Sequence, residues 1–284
     1  MKNSTILLVI GTDTPLTTLA QKLETIRAIP AHAAIIIVAE MPVFSYYAVG
    51  VEPFGTPDIS PEWQQQVTAT KAALHAKETE VETLLQQHEL SGDVTTVAAE
   101  PAAIADHVAR RAMLCDMAWI DESLRPSKML FKQALYGVLF QSPVGVLLNT
   151  PKGNVLPDPK RVFVAWNTQL QAARAVQQAL PLLRAADEVI IGTFDPVMTE
   201  FGEGEDPGVD VAQWLTHHGC NVTVQQYPSG GQTVSHCIME RAKETGADLI
   251  VMGAYEHSKA REAIFGGTTR TLVEQTDQAV FLAH

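Results

Sequence analysis

The sequence predicts two tandem doubly wound α/β domains, each built on a parallel sheet. Three observations lead to that fold class. The same order of apolar strands and amphipathic helices runs through residues 1–150 and again through 158–284, so the chain is written twice. The strand candidates are short, rich in Ile, Val and Leu, and barely alternate, as strands do when both faces of the sheet are covered. Stretches of helical period separate them, and each half reads as five strands alternating with four helices.

In the first half, STILLVIG is a buried strand and a helix follows over Leu16 to Ile29. AHAAIIIVAEM is the second strand. An aromatic, proline-rich loop (42–60, with Phe44, Tyr46 and Tyr47) leads into a long helix over Pro61 to His88. DVTTVAAE, from Asp93, is the third strand, and a helix over Ala102 to Leu114 follows. Asp116 opens the apolar run of the fourth strand. A polar loop with Ser127-Lys128, an amphipathic stretch and VGVLL close the half. The stretch from Asn149 to Arg161 holds three prolines and a glycine and no apolar run, so it reads as the domain boundary.

The second half repeats the scheme. KRVFVAWN is its first strand, with a helix over Gln169 to Arg184, and ADEVIIGTF is its second. FGEGEDPGVDVAQWLTHHG allows only a short helix where the first half has a long one. CNVTVQQY is a strand, and a helix over Gln232 to Thr245 follows. Asp248 then opens ADLIVMG, as Asp116 opens its counterpart. A polar loop with Ser258-Lys259, a helix from roughly Gly266 to Gln275 and a closing apolar strand complete the chain.

The bulk properties exclude several classes. A net charge of −12 argues against a general nucleic-acid binder, which needs a basic face to displace counterions. The three cysteines, Cys115, Cys220 and Cys237, lack C-x-x-C spacing, so they read as small core hydrophobes rather than a disulfide frame or zinc site. The N-terminus lacks the long apolar segment of a signal peptide, and no apolar run has the length of a membrane span. A cytoplasmic protein that engages neither membrane nor nucleic acid is the expectation.

In such sheets, ligands bind beyond the carboxyl ends of the strands, where neighbouring helices diverge. In the second half those ends are Ala165, Trp166, Asn167 and Thr168, together with Met252 and Gly253. The loop Ala254 to Phe265 and the helix start at Gly266 adjoin them. Unpaired N–H groups and the helix dipole favour an anion at that start. Gly266 and Gly267 would let a phosphate approach the backbone, and Thr268 and Thr269 add hydroxyl donors. His257, Lys259 and Arg261 are further cationic or donor groups. The plainer reading is that the glycines only permit close helix–sheet packing.

The stretch from Met252 to Arg270 resembles the nucleotide-binding signature of universal stress proteins: glycine, two residues, glycine, nine residues, glycine, then serine or threonine. Gly253 and Gly266 fit the first and third positions, and DLIVMGAY, HSKAREAIFGG and RVFVAWN also look like tandem members of that family. The resemblance covers the second half directly and the first through the repeat. It implies a five-stranded parallel sheet per domain, pairing of the domains as a pseudo-dimer about a pseudo-twofold axis, and further homodimerisation. It also implies ATP, with or without Mg²⁺, as ligand, with Asn167 at the base or ribose and Gly253, Gly266, Gly267 and Thr268 at the phosphates.

Three departures stand out. Glu256 occupies the second glycine position, Gly267 occupies the serine/threonine position with Thr268 one place later, and Asn167 stands where the ATP-binding branch has an aspartate. A carboxylate a few ångströms from a triphosphate costs on the order of 1–4 kcal/mol unless it swings out or helps hold a metal. In the first half, Asp121 and Glu122 stand at the phosphate position and no glycine pair opens the next helix, so that half reads as structural or regulatory.

Catalytic signatures are lacking. The sequence has no P-loop, G-x-S-x-G or H-E-x-x-H motif. His217-His218 reads as a solvated pair at a helix end, His236 and Glu240 as a surface pair, and Ser229-Gly230-Gly231 as a helix-capping loop. The expected function is adenine-nucleotide binding in a stress-response or regulatory protein, with at most slow ATP hydrolysis. One alternative is a nucleotide-free or AMP-binding scaffold that acts through protein partners, with the 42–60 loop as the partner surface. The other is a hydrolase of a phosphorylated or adenylated small molecule, for which His257 is the candidate ionisable group.

Overall fold

The computed structural model describes residues 3–43, 60–150, 159–199, 206–255 and 266–284. Glu256, His257, Lys259, Arg261, the aromatic trio Phe44, Tyr46 and Tyr47, and residues 151–158 of the boundary stretch lie outside them.

The first half runs β1 (Thr5–Gly11), α1 (Leu16–Ala28), β2 (His32–Glu40), α2 (Pro61–Gln87), β3 (Gly92–Ala99), α3 (Pro101–Ala112) and β4 (Met117–Ile120). A short 3-10 turn (Glu122–Leu124), α4 (Lys128–Gln141) and β5 (Val146–Leu148) complete it. The second half runs β6 (Arg161–Ala165), α5 (Leu170–Ala185), β7 (Glu188–Phe194), α6 (Val209–His217) and β8 (Val222–Tyr227). It ends with α7 (Val234–Glu244), β9 (Leu249–Gly253), α8 (Gly267–Glu274) and β10 (Ala279–Ala283). The sequence-predicted helices are present with ends shifted by two residues or fewer.

The halves share one ten-stranded sheet in the order β3-β2-β1-β4-β5-β10-β9-β6-β7-β8. All pairings are parallel except the central β5·β10 pair, which is antiparallel. The pseudo-dimer is therefore closed through the backbone, where reading each half alone leaves two separate sheets. Its register is self-complementary: Leu148 faces Val280, Leu147 faces Phe281 and Val146 faces Leu282. The pseudo-twofold thus passes between Leu147 and Phe281. Gly145 is the gap that admits the Phe281 ring, since a Cβ there would lie 2.2 Å from Cζ.

Two apolar cores lie on the two faces of this sheet, and each crosses the seam. On one face, Ile6 and Leu8 of β1, Leu23 of α1 and Val81 of α2 are continuous with Phe281, Val176 of α5 and Leu215 of α6. On the other, Leu7, Val108 of α3 and Leu135 of α4 are continuous with Val280, Ile238 of α7 and Leu272 of α8. Burial on both faces is the reason the strands carry no polar alternation. Among the described strands, exposed interior positions occur in the outermost two, β3 and β8.

The repeated aspartates have a shared task. Asp116 Oδ2 accepts from Thr5 N at 2.7 Å, and Asp248 Oδ2 accepts from Lys160 N at 2.7 Å and Arg161 N at 3.0 Å. Each ties the start of its half's fourth strand to the start of the first. Gly137, isolated in the sequence, lets α4 press on α3: a Cβ there would lie 2.3 Å from the Ala105 carbonyl oxygen.

Candidate functional site

Because β6 and β9 are neighbours whose following helices, α5 and α8, cover opposite faces, a cleft opens beyond their carboxyl ends. It encloses about 660 Å³, within the range of small-molecule sites. Ala165, Trp166, Asn167, Thr168, Met252, Gly253 and Thr268 all line it. Gly266 and Gly267 adjoin Thr268 as the N-cap and first residue of α8. Nine of the ten expected site residues thus converge on one place, and the tenth, Glu256, lies outside the described residues.

The two glycine positions differ in kind. At Gly253, a Cβ would lie 2.6 Å from the Gln171 carbonyl carbon and 2.7 Å from Ala172 N, so the glycine is needed for α5 to sit against β9. At Gly267 an added Cβ meets nothing within 4 Å. Among the described residues, the first turn of α8 has no intrahelical acceptor for its N–H groups, no acidic residue and no side-chain cap.

The turn is held from behind. Thr269, fully buried, accepts from Tyr255 N at 3.0 Å, and Gly266 N donates to Tyr255 O at 2.8 Å. Thr269 is thus a structural clamp and not a ligand donor, in contrast to its sequence-based assignment. Tyr255 Oη donates to Asn167 Oδ1 at 2.9 Å, which links the ends of β6 and β9 beside the cleft.

Several lining residues carry no sequence signature: Gln169, Phe194, Asp195, Val197, Val234 and Ile238. Phe194 stacks on Tyr227 with centroids 5.5 Å apart, fixing an aromatic wall. Asp195, in a left-handed conformation (φ 44°), accepts from Ser229 N at 3.0 Å. Hydrogen bonds from the Ser229 side chain and backbone hold its carboxyl below the usual value. The cleft therefore has an anionic rim at Asp195 and, among the described residues, first-turn N–H groups of α8 without an intrahelical acceptor. Ser229 serves Asp195 rather than α7, whose cap is Thr233 accepting from His236 N at 3.4 Å. His218 is likewise not simply solvated: its ring lies 4.0 Å from that of Trp214.

The first half treats the same position differently. Asp121 occupies the place of Gly253 in register, but it is buried and paired. Lys22 Nζ lies 3.2 Å from Asp121 Oδ2, without a hydrogen bond aimed at that oxygen, and 3.0 Å from Glu122 Oε2. Lys22 also sits 4.2 Å over the Trp119 ring. Glu122 Oε1 accepts from Thr150 N at 2.9 Å and Thr150 Oγ1 at 3.0 Å. The acidic pair therefore turns inward to a lysine, where the sequence reading had it facing the phosphate position. A smaller cleft of about 360 Å³ remains, lined by Gly11, Thr12, Asp13, Glu40 and Ser123 among others.

One side-chain chain escaped the sequence reading. His32 Nδ1 lies 2.8 Å from Ser91 Oγ, and His32 Nε2 lies 2.8 Å from Asp93 Oδ1, which also faces Arg111 across the carboxylate. It is exposed and sits at the amino ends of β2 and β3, opposite the clefts. Among the described residues, no group of three His, Cys, Asp or Glu side chains could hold a metal, and no helix is long and apolar enough to cross a membrane.

Comparison with known proteins sets this geometry among relatives. The family model described as Universal stress protein family matches residues 159–284. A universal stress protein from Archaeoglobus fulgidus DSM 4304 aligns over 99% of this chain and 96% of its own, with TM-score 0.65 and 16% identity. A protein of unknown function from Pseudomonas aeruginosa PAO1 aligns over 99% and 92%, with TM-score 0.54 and 12% identity. A putative universal stress protein from P. aeruginosa UCBPP-PA14 aligns over 99% and 93%, with TM-score 0.52 and 13% identity. At these identities the structural matches speak for the fold, which they share along nearly the whole chain. A search of curated protein sequences gives no match. Residues 159–284 thus match the universal stress protein family model, and the chain shares its fold with these solved structures along nearly its whole length.

Proposed function

We propose that the cleft of the second half binds an adenine nucleotide, ATP in the first instance, and that the protein acts as a nucleotide-responsive stress or regulatory factor. The observation that carries this is the first turn of α8, at Gly266 to Thr268, uncapped among the described residues and beside a cleft of about 660 Å³. Backbone N–H groups there favour phosphate oxygens, and Thr268 adds a hydroxyl. The Phe194 wall offers a flat apolar face to a base, and the ionised Asp195 accepts hydrogen bonds from an amine or hydroxyl. Mg²⁺ would take its ligands chiefly from phosphates and water.

The Tyr255–Asn167 bond favours the second reading, a scaffold holding AMP or nothing, because it takes up one of the two acceptor positions on Asn167 Oδ1. Mass spectrometry of small molecules released on denaturing the freshly purified protein separates the two. Co-purified ATP supports the proposal. AMP alone, or no nucleotide together with no heat on ATP titration, rules it out. Hydrolysis of a phosphorylated substrate would need a base, and His257 lies outside the described residues. Unchanged turnover in His257→Ala would remove that reading.

A further inference from the structure

Helix α8 is short and poorly provided for by its own sequence. It has eight residues, a glycine N-cap without a side chain, and no basic residue in its last turn. Helices this short are marginal alone, and a cation at the C-terminus helps them. The other half supplies that cation. Arg125, in the loop between the 3-10 turn and α4, donates from Nη2 to Val273 O at 2.9 Å. The same nitrogen donates to Asn149 Oδ1. Asn149 Nδ2 in turn donates to Leu272 O at 3.0 Å, an oxygen that also accepts from Gln275 Nε2 at 3.1 Å. The Arg125 guanidinium lies 4.7 Å from the Phe131 ring centroid, which orients it, and Asn149 is buried at 2% exposure.

We propose that Arg125 and Asn149 are positioning residues for α8, by which the first half sets the phosphate end of the second half's cleft. The inference rests on reading that cleft as a nucleotide site. Held at its C-terminal carbonyls, α8 keeps its first turn fixed against Tyr255 and Thr268 facing the cleft. The neighbours of Arg125, Leu124 and Ser127, line the first-half cleft, so whatever moves that loop also moves the clamp. The degenerate half thereby retains a function without a phosphate site of its own.

The test is a calorimetric comparison of ATP and adenosine on wild type, Arg125→Met, Arg125→Lys and Asn149→Gly, with hydrogen exchange read along α8. Asn149 has φ 55°, which glycine accepts, so that variant removes the side chain without straining the backbone. The expected result is an ATP affinity about tenfold lower in Arg125→Met, adenosine affinity nearly unchanged, partial recovery in Arg125→Lys and faster exchange confined to α8. Equal losses for ATP and adenosine, or an unchanged ATP affinity, would overturn it while leaving the nucleotide reading intact. If wild type takes up no ATP, the nucleotide reading falls and exchange decides: acceleration at α8 in Arg125→Met upholds the clamp, and its absence overturns it.

Discussion

At Gly253 a Cβ would press within 2.6 Å of α5 backbone, whereas at Gly267 it would meet open space. Packing thus requires a glycine at the first position and not at the second. Gly253→Ala should destabilise the fold by about 1–3 kcal/mol, the usual cost of overpacking, seen as a lower urea midpoint. Gly267→Asp should leave stability equal or slightly higher, because an anion suits a helix N-terminus, yet it should repel phosphate. Cys115 gives a pH prediction. Burial, opposed by Arg111, pushes its thiol up to about 11 from an ordinary 9. A raised folded pKa means stability that is full below about pH 9 and is lost as pH rises towards 11. Native protein at pH 8 should therefore resist alkylation at Cys115, and rapid labelling without unfolding would contradict the burial.

At the scale of elements, periodicity exposes nearly everything local. The helices were legible because apolar residues such as Leu19, Leu23 and Ile26 recur on one face, and prolines at 61 and 101 mark helix starts. Partnerships across the fold were not legible. Nothing in the sequence joins Lys22 to Asp121 and Glu122, a hundred residues away, or places Asp195 and Phe194 beside Asn167. Such pairings depend on strand order, which periodicity does not encode. Thr269 shows the same limit: a hydroxyl that reads as a ligand donor is fully buried and accepts from Tyr255 N. Thr269→Val should cost about 1–3 kcal/mol by leaving that buried N–H without its acceptor, measured by chemical denaturation. It should also lower ATP affinity, since the first turn of α8 loses its backing.

For the whole molecule, the seam decides behaviour. The sequence shows two repeats, and the structure makes them one sheet with two cores that run from half to half. Such continuity predicts a single unfolding transition, with calorimetric and van't Hoff enthalpies in agreement. Two resolved transitions would mean the seam is weak. Phe281→Ala, at the pseudo-twofold, should cost about 3–5 kcal/mol and lower that one transition for both halves together. The seam's self-complementary register was out of reach of sequence reading, because VGVLL and AVFLA look like ordinary closing strands until paired.

Whether the N-terminus of α8 holds a nucleotide phosphate is read by calorimetric titration of ATP into wild type and Gly267→Asp, with matched thermal unfolding of both. With phosphate held there, the wild type binds ATP at micromolar concentration and an equally stable Gly267→Asp binds it at least about tenfold more weakly. Equal ATP affinity in the two proteins, or no binding by the wild type, would contradict it.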